Sequence, residues 1–210
     1  MVWFADVFQK PKEFFDEEKG KAEYQRAVLN YLAPLLIVGL VLLLLSTALL
    51  PLFATMPNGA AIAGLIGAGG IIVFLMVVVG GLIGIAVFNA IILAAAKLLG
   101  GKGTFKEQFY AMSVFYLAEI ILSILVMIVG FILMLIPAVG IILYMLAYLA
   151  FIIIVLRAFV VMLREVHQTT TLKAIAIIII YAVIVGVLAF LLIGTLLASV
   201  MSTAGAYPTR

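Results

Sequence analysis

The sequence predicts an all-α membrane protein, a bundle of five transmembrane helices preceded by a short amphipathic segment at the membrane interface. Of the 210 residues, 68% are hydrophobic and 10% are charged, whereas soluble proteins are about 45–50% apolar and about 25% charged. The chain also contains uncharged runs of the length needed to cross the roughly 30 Å hydrocarbon layer, about 20 residues each. Both observations exclude a water-soluble domain.

The five spans are predicted from the positions of charges, prolines and glycines. The first ends at Pro51, before a loop around Pro57. The apolar run 60–96 would be about 55 Å long as a helix, too long for one crossing, so its Gly-rich part 60–70 is assigned to an interfacial segment or an extended helix end. Pro137 divides the next run into a hairpin. The predicted spans are approximately 28–50, 71–95, 110–135, 139–162 and 174–200, between an N-terminal segment 1–27 and a short external tail 201–210.

The distribution of basic residues predicts the orientation. Eleven of the 12 Lys and Arg residues fall in the N-terminal segment, after the second span or around the loop before the fifth. Because short cytoplasmic loops carry the excess of Lys and Arg, the N-terminus is predicted inside and the C-terminus outside. The positive charge therefore serves as a topology signal, and no nucleic-acid partner is predicted.

The N-terminal segment places aromatic residues at helical spacings, which predicts a helix with one aromatic face in the membrane interface. Its partner would be the lipid bilayer or, as the alternative, a membrane or cytosolic protein. The basic residues near the first three spans extend this surface, since cations near an anionic leaflet attract headgroups. The predicted lipid or partner face consists of Trp3, Phe4, Phe8, Phe14, Phe15, Arg26, Lys97, Lys102 and Lys106.

Catalytic and cofactor chemistry find no support in the sequence. There is no cysteine, and the single histidine, His167, is predicted to lie solvated in a loop. The segment 100–104 resembles a phosphate-binding loop only in part, because Gly103 separates Lys102 from Thr104. A tight glycine turn between two antiparallel spans explains it. We predict no cofactor, no metal site and no enzymatic activity.

Ionisable residues within the spans are the informative polar ones, because each is costly in hydrocarbon unless paired or hydrated. Glu119 and Arg157 are equally distant in sequence from the predicted hairpin turn, so they lie at equal depth and could meet. Alternatively, Arg157 reaches the headgroups and Glu119 stays alone and protonated. This layer either locks the helices together or lines a proton, ion or ligand pathway. Its predicted members are Asn89, Tyr116, Glu119, Arg157 and Tyr181.

Two pairs of small residues occur at four-residue spacing within the spans. Gly80 and Gly84 lie in the second span, and Ala182 and Gly186 lie in the fifth. Small residues at this spacing let helix backbones approach closely. The pairs therefore predict packing within the bundle or, as the alternative, a homo-oligomer.

Several short motifs, in this order along the chain, resemble the Yip family of Ypt/Rab-interacting membrane proteins. The resemblance covers nearly the whole chain. One feature of the resemblance is Pro137, between the third and fourth predicted spans. The other motifs are Val7-Phe8-Gln9-Lys10-Pro11-Lys12-Glu13-Phe14-Phe15, Leu98-Leu99-Gly100-Gly101-Lys102-Gly103-Thr104-Phe105 and Thr171-Leu172-Lys173-Ala174.

The resemblance implies a five-span helical domain without known enzymatic activity, here in a short prokaryotic form that would reside in the cell membrane. Eukaryotic members of the family act in vesicle trafficking and bind prenylated Rab-type GTPases and one another. The leading hypothesis is a non-enzymatic membrane organiser that engages lipids or a partner protein at its cytoplasmic face. The alternative is a small transporter or channel with a polar path through Glu119.

Overall fold

The computed structural model describes residues 3–54, 69–136 and 139–204. Within these ranges the chain is 91% helical and contains no strand. Five of its helices are long and apolar enough to cross a membrane. The predicted all-α, five-span architecture is therefore confirmed, while the orientation of the termini remains a prediction.

Two short helices precede the five long ones. A 3-10 turn at Lys19–Lys21 follows the second short helix. The fourth helix contains a π-helical stretch at Met76–Gly80. The helices are α1 (Trp3–Gln9), α2 (Pro11–Glu18), α3 (Tyr24–Ala54), α4 (Gly69–Leu98), α5 (Phe105–Leu133), α6 (Val139–His167) and α7 (Thr171–Ala204).

Each long helix extends beyond its predicted span at one end or both, although α5 ends at Leu133, before the predicted end at 135. α3 continues through Pro51, the residue predicted to end it. Membrane helices tolerate proline because neighbouring groups can satisfy the backbone that it frees. Gly69 and Gly70 lie inside α4, so the extended-helix alternative holds for those two glycines. The predicted loop around Pro57, the hairpin residue Pro137, residues 60–68 and residues 205–210 lie outside the described residues.

The buried residues concentrate at one end of the bundle, which we call the basic end. It comprises α1, α2, the start of α3, the end of α4, the start of α5, the end of α6 and the start of α7. Its core includes Phe15, Tyr31, Ile92, Met162 and Ile177, each at most 2% exposed. Toward the other end the helices turn most of their side chains outward. In an apolar 18-residue stretch of each long helix, between 0 and 22% of the residues are buried in the protein, which leaves wide lateral surfaces for lipid.

The first two helices pack onto the bundle, α1 against α5 and α6 and α2 against α6. Pro11 occupies the first turn of α2, where its missing N–H would be unpaired in any residue. Val7 of α1 and Phe15 of α2 are both fully buried. We call α1 and α2 together the N-terminal cap, because they cover the basic end.

Candidate functional site

A buried chain of hydrogen bonds links four long helices at the basic end. The Asn89 amide of α4 donates to the Tyr31 hydroxyl of α3 at 3.4 Å. The Gln108 amide of α5 donates to the Asn89 backbone carbonyl at 2.6 Å. His167 Nε2 of α6 lies 2.9 Å from Gln108 Oε1. All four side chains are at most 2% exposed, so the chain of bonds fixes how the helices meet.

The prediction that His167 is solvated is wrong. Its side chain is completely buried, because the loop between α4 and α5 lies across the end of α6. Since the Gln108 amide nitrogen is turned toward Asn89, its oxygen faces the imidazole and accepts a hydrogen bond from Nε2–H. His167 Nδ1 is buried and has no hydrogen-bond partner within the described part of the chain.

The loop between α4 and α5 depends on its glycines. Gly100 has φ +82°, a left-handed conformation that glycine adopts without strain. The Gly101 amide donates to the Ala96 carbonyl at 2.8 Å, and the Gly100 amide donates to the Lys97 carbonyl at 3.0 Å. This is the hydrogen-bond pattern of a Schellman motif. The Lys102 amide then donates to the His167 carbonyl at 2.9 Å. The predicted glycine turn is present, and it also holds the end of α6.

Thr104 and Glu107 start α5. The Glu107 amide donates to Thr104 Oγ1 at 3.2 Å, and the Thr104 amide donates to Glu107 Oε2 at 2.7 Å. This reciprocal capping box satisfies two backbone donors that a helix start otherwise leaves unpaired. By fixing the start of α5, this capping box holds the next residue, Gln108, at the level of Asn89.

Three members of the predicted polar layer have partners in the structure. Asn89 belongs to the buried hydrogen-bond chain. Tyr116 packs its ring against Tyr31, with the centroids 5.8 Å apart. Tyr181 lies edge-to-face against Phe88 at 6.1 Å. These contacts support a role in joining helices.

Glu119 and Arg157 do not form an ion pair. Arg157 is exposed, and Glu119 is half-buried with no hydrogen-bond partner among the residues that the structure describes. Matching their depth was not sufficient, because a helix turns about 100° per residue. Their neighbours Ala118 and Ala158 occupy the buried faces, so both charged side chains point away from the contact.

The aromatic residues of the predicted lipid or partner face mostly pack inward. Phe15 is fully buried, so its prediction as a lipid-facing ring is wrong. Phe8 contacts Phe115 with the ring centroids 6.3 Å apart, and Phe4 and Phe14 are half-buried against the core. The cap uses these rings to seal the bundle, since burying apolar surface stabilises the contact. The Trp3 side chain lies outside the described residues.

The basic members of that face remain available. Arg26, Lys97, Lys102 and Lys106 are all exposed. Lys97 Nζ donates to the Lys102 carbonyl at 3.2 Å, and Arg26 pairs with Glu23 at 3.1 Å. The surface of the basic end is therefore more cationic than aromatic.

Ion pairs between α2 and the 3-10 turn that follows it shift two side chains from their ordinary pKa values. Hydrogen bonds to Glu17 and then Glu18 raise the pKa of Lys21. A hydrogen bond and the nearby charge of Lys19 lower the pKa of Asp16. Both groups are thus charged at neutral pH.

The small-residue pairs were predicted to pack within the bundle, but the structure does not place them in close helix contacts. Apart from chain neighbours and the backbone of its own helix, a methyl group added at Gly80, Gly84 or Gly186 would meet no atom of the described residues within 4 Å, and Ala182 is exposed. Other glycines make the close contacts instead: Gly81 faces Leu35, and a Cβ there would lie 2.7 Å from it. The homo-oligomer alternative remains a prediction.

Sequence reasoning missed Tyr31, Gln108 and His167 as members of the buried chain. Gln108 and His167 lie near span ends, where polar residues are ordinary and carry little signal. The local signal was the glycine-rich loop beside His167. It could have indicated that another part of the chain approaches this backbone closely.

These features define a multi-pass helical membrane protein, organised around a packed basic end. The family model of the Yip1 domain matches residues 5–193, which is most of the chain. The protein therefore belongs to the Yip1 domain family. No curated protein and no solved structure matched.

Proposed function

We propose that the protein is a non-enzymatic membrane organiser whose basic end faces the cytoplasm and engages anionic lipid headgroups. The main observation that supports this proposal is the set of exposed Lys and Arg side chains around the best-packed part of the molecule. Lys102 lies in the loop anchored on His167, and Lys106 lies in the first turn of α5. Their backbone is thus held in place, so headgroup binding need not order it.

The inward packing of the cap favours lipid headgroups over a protein partner. A protein-docking surface has a central apolar or aromatic cluster, and Phe15, the most central ring of the cap, is buried in this chain. Charge remains at the surface, and a Lys or Arg near an anionic leaflet contributes about 1 kcal/mol. The Yip1 family is generally non-enzymatic, which agrees with a scaffold role of the kind used in membrane organisation or trafficking.

The test measures lipid binding to the full-length protein in neutral detergent micelles. Short-chain phosphatidylglycerol is titrated against short-chain phosphatidylcholine, with bound lipid counted by native mass spectrometry. Replacing Lys102 and Lys106 together by Gln should weaken phosphatidylglycerol binding roughly 30-fold, from about 1 kcal/mol per lysine. The double replacement by Arg keeps the charge and should retain binding. Equal binding of the two lipids to the wild-type protein would contradict the proposal.

A second candidate function is transport along a path past Glu119. The observation that favours it is a half-buried carboxyl group inside an apolar helix, with no hydrogen-bond or ionic partner in ranges 3–54, 69–136 and 139–204. Such groups often mark proton or ion pathways.

Proton and ion flux into proteoliposomes tests this candidate. Glu119→Gln should abolish flux, while Ser123→Ala, one turn away on α5, should leave it unchanged. An absence of flux in the wild-type protein, or flux that is indifferent to Glu119→Gln, removes the candidate.

A further inference from the structure

A small polar crevice opens between α2, α3 and α5 at the basic end. Its volume is about 200 Å³, and it is lined by Phe14, Glu18, Asn30, Tyr110 and Val114. Pockets for drug-sized ligands measure about 300–1,000 Å³. The crevice is therefore suited to a smaller group, such as a lipid headgroup.

The Glu18 carboxylate supplies one set of acceptor atoms in this crevice. Its side chain is 19% exposed. Oε2 accepts a hydrogen bond from the Tyr110 hydroxyl at 2.8 Å, and Oε1 accepts one from Lys21 Nζ at 3.0 Å. A carboxylate has about four acceptor positions, so about two remain open to a ligand.

Asn30 supplies another acceptor, and its orientation is fixed by its neighbour. The Ser113 hydroxyl donates to the Tyr110 carbonyl at 2.7 Å, which uses its only proton. It must therefore accept from Asn30, whose Nδ2 lies 3.1 Å away. The side-chain oxygen Oδ1 of Asn30 is therefore left without a hydrogen bond in the described part of the chain.

The crevice thus combines open acceptors with the aromatic rings of Phe14 and Tyr110. Acceptors bind N–H donors, and aromatic faces attract cations. A small ammonium group satisfies both. Its three N–H donors match the acceptors of Glu18 and Asn30, which a trimethylammonium group could not do.

Arg26 provides an anion-binding group at the rim. It lies one turn from Asn30 on α3 and beside the Tyr110 hydroxyl. Its Nε pairs with Glu23 at 3.1 Å, and its side chain is 62% exposed. The terminal guanidinium nitrogens carry several N–H donors, and those that do not contact the Tyr110 hydroxyl can bind a phosphate.

We propose that this crevice binds the headgroup of an aminophospholipid of the phosphatidylethanolamine class. The ammonium lies between Glu18 and Asn30, and the phosphate lies against Arg26. The inference rests on the proposed function, in which the basic end meets lipid headgroups, and it adds selectivity for one headgroup.

The test compares Glu18→Gln with its matched control Glu17→Gln. Both variants remove one negative charge and one ionic partner of Lys21, but only Glu18 lines the crevice. Short-chain phosphatidylethanolamine, phosphatidylcholine and phosphatidylglycerol are titrated onto the full-length protein in neutral detergent micelles. Glu18→Gln should weaken phosphatidylethanolamine binding about tenfold, the effect of losing one charged hydrogen bond. Glu17→Gln should leave it within about twofold, because an exposed ion pair contributes little.

A second variant keeps every charge. Val114→Phe fills the crevice and should also weaken phosphatidylethanolamine binding, with phosphatidylglycerol binding unchanged. Equal wild-type affinities for phosphatidylethanolamine and phosphatidylcholine would overturn the inference, as would equal effects of Glu18→Gln and Glu17→Gln. Either result would contradict the crevice proposal alone, because phosphatidylglycerol binding by Lys102 and Lys106 is measured independently. Conversely, loss of that lysine-dependent binding alone would contradict the proposed function.

Discussion

Gly103 lies where the loop between α4 and α5 crosses the end of α6. A Cβ at this position would lie 2.5 Å from the Val166 carbonyl oxygen and 2.7 Å from His167 Nδ1. Gly103→Ala should therefore destabilise the protein by about 1–3 kcal/mol, the usual cost of overpacking. Thermal unfolding in detergent measures the effect.

Gly84→Ala is the matched control for this prediction. Its added methyl group meets nothing within 4 Å, so the unfolding temperature should stay the same or rise slightly, since alanine favours helix. Equal destabilisation by Gly103→Ala and Gly84→Ala would show that the loop does not closely contact His167.

The pair formed by Gln108 and His167 gives a second prediction at this scale. Each single change, Gln108→Leu or His167→Leu, leaves a buried partner unpaired, which costs about 1–3 kcal/mol. The double variant removes both partners, so its loss should be smaller than the sum by about 0.5–3 kcal/mol. Unfolding free energies of the four proteins in mixed micelles provide the cycle. Strict additivity would refute a direct bond.

Individual residues were the hardest level to predict from the sequence. Equal depth for Glu119 and Arg157 followed from counting along two helices, but their rotation about the helix axes depends on which faces pack. Those faces are defined by Ala118 and Ala158, and alanines carry little hydrophobic signal in a chain that is apolar throughout. The burial of His167 likewise depends on a loop from another part of the sequence.

At the level of elements, the N-terminal cap is attached to the bundle by buried rings. Phe15→Ala should weaken this attachment, because truncating a buried Phe costs about 3–5 kcal/mol. The cap would then open more often, and trypsin should cut faster after Lys12. Limited proteolysis of the purified protein measures the rates.

Phe131→Ala on α5 is the control for the cap, because its side chain is 65% exposed. It should leave the cleavage rates unchanged. If Phe15→Ala also leaves them unchanged, the cap is not held by this ring.

The sequence predicted the existence of the long helices well, since uncharged apolar runs have few other structures in a membrane. Their ends were less predictable. Pro51 is tolerated inside α3, and polar residues such as Arg164 and His167 continue α6 beyond its predicted end. Helix formation continues past the apolar run wherever the backbone has partners. The amphipathic spacing in α1 and α2 identified an apolar face correctly but could not specify whether lipid or the bundle covers it.

At the scale of the whole molecule, the five long helices of the described residues and the single basic end predict that the termini lie on opposite sides of the membrane. α1 and α2 lie at the basic end, and α7 leads away from it. The positive-inside rule then predicts that the basic end lies in the cytoplasm. The proposed headgroup binding by Lys102 and Lys106 requires this arrangement, because anionic lipid is concentrated in the cytoplasmic leaflet.

The most direct measurement is cysteine accessibility, which the chain favours because it contains no cysteine. Single variants Gly20→Cys, Lys102→Cys and Ser202→Cys are treated with a membrane-impermeant maleimide in intact and permeabilised cells. We expect Ser202→Cys to react in intact cells, and the other two only after permeabilisation. Labelling of Gly20→Cys and Ser202→Cys from the same side would contradict the five-span arrangement and the cytoplasmic placement of the basic end.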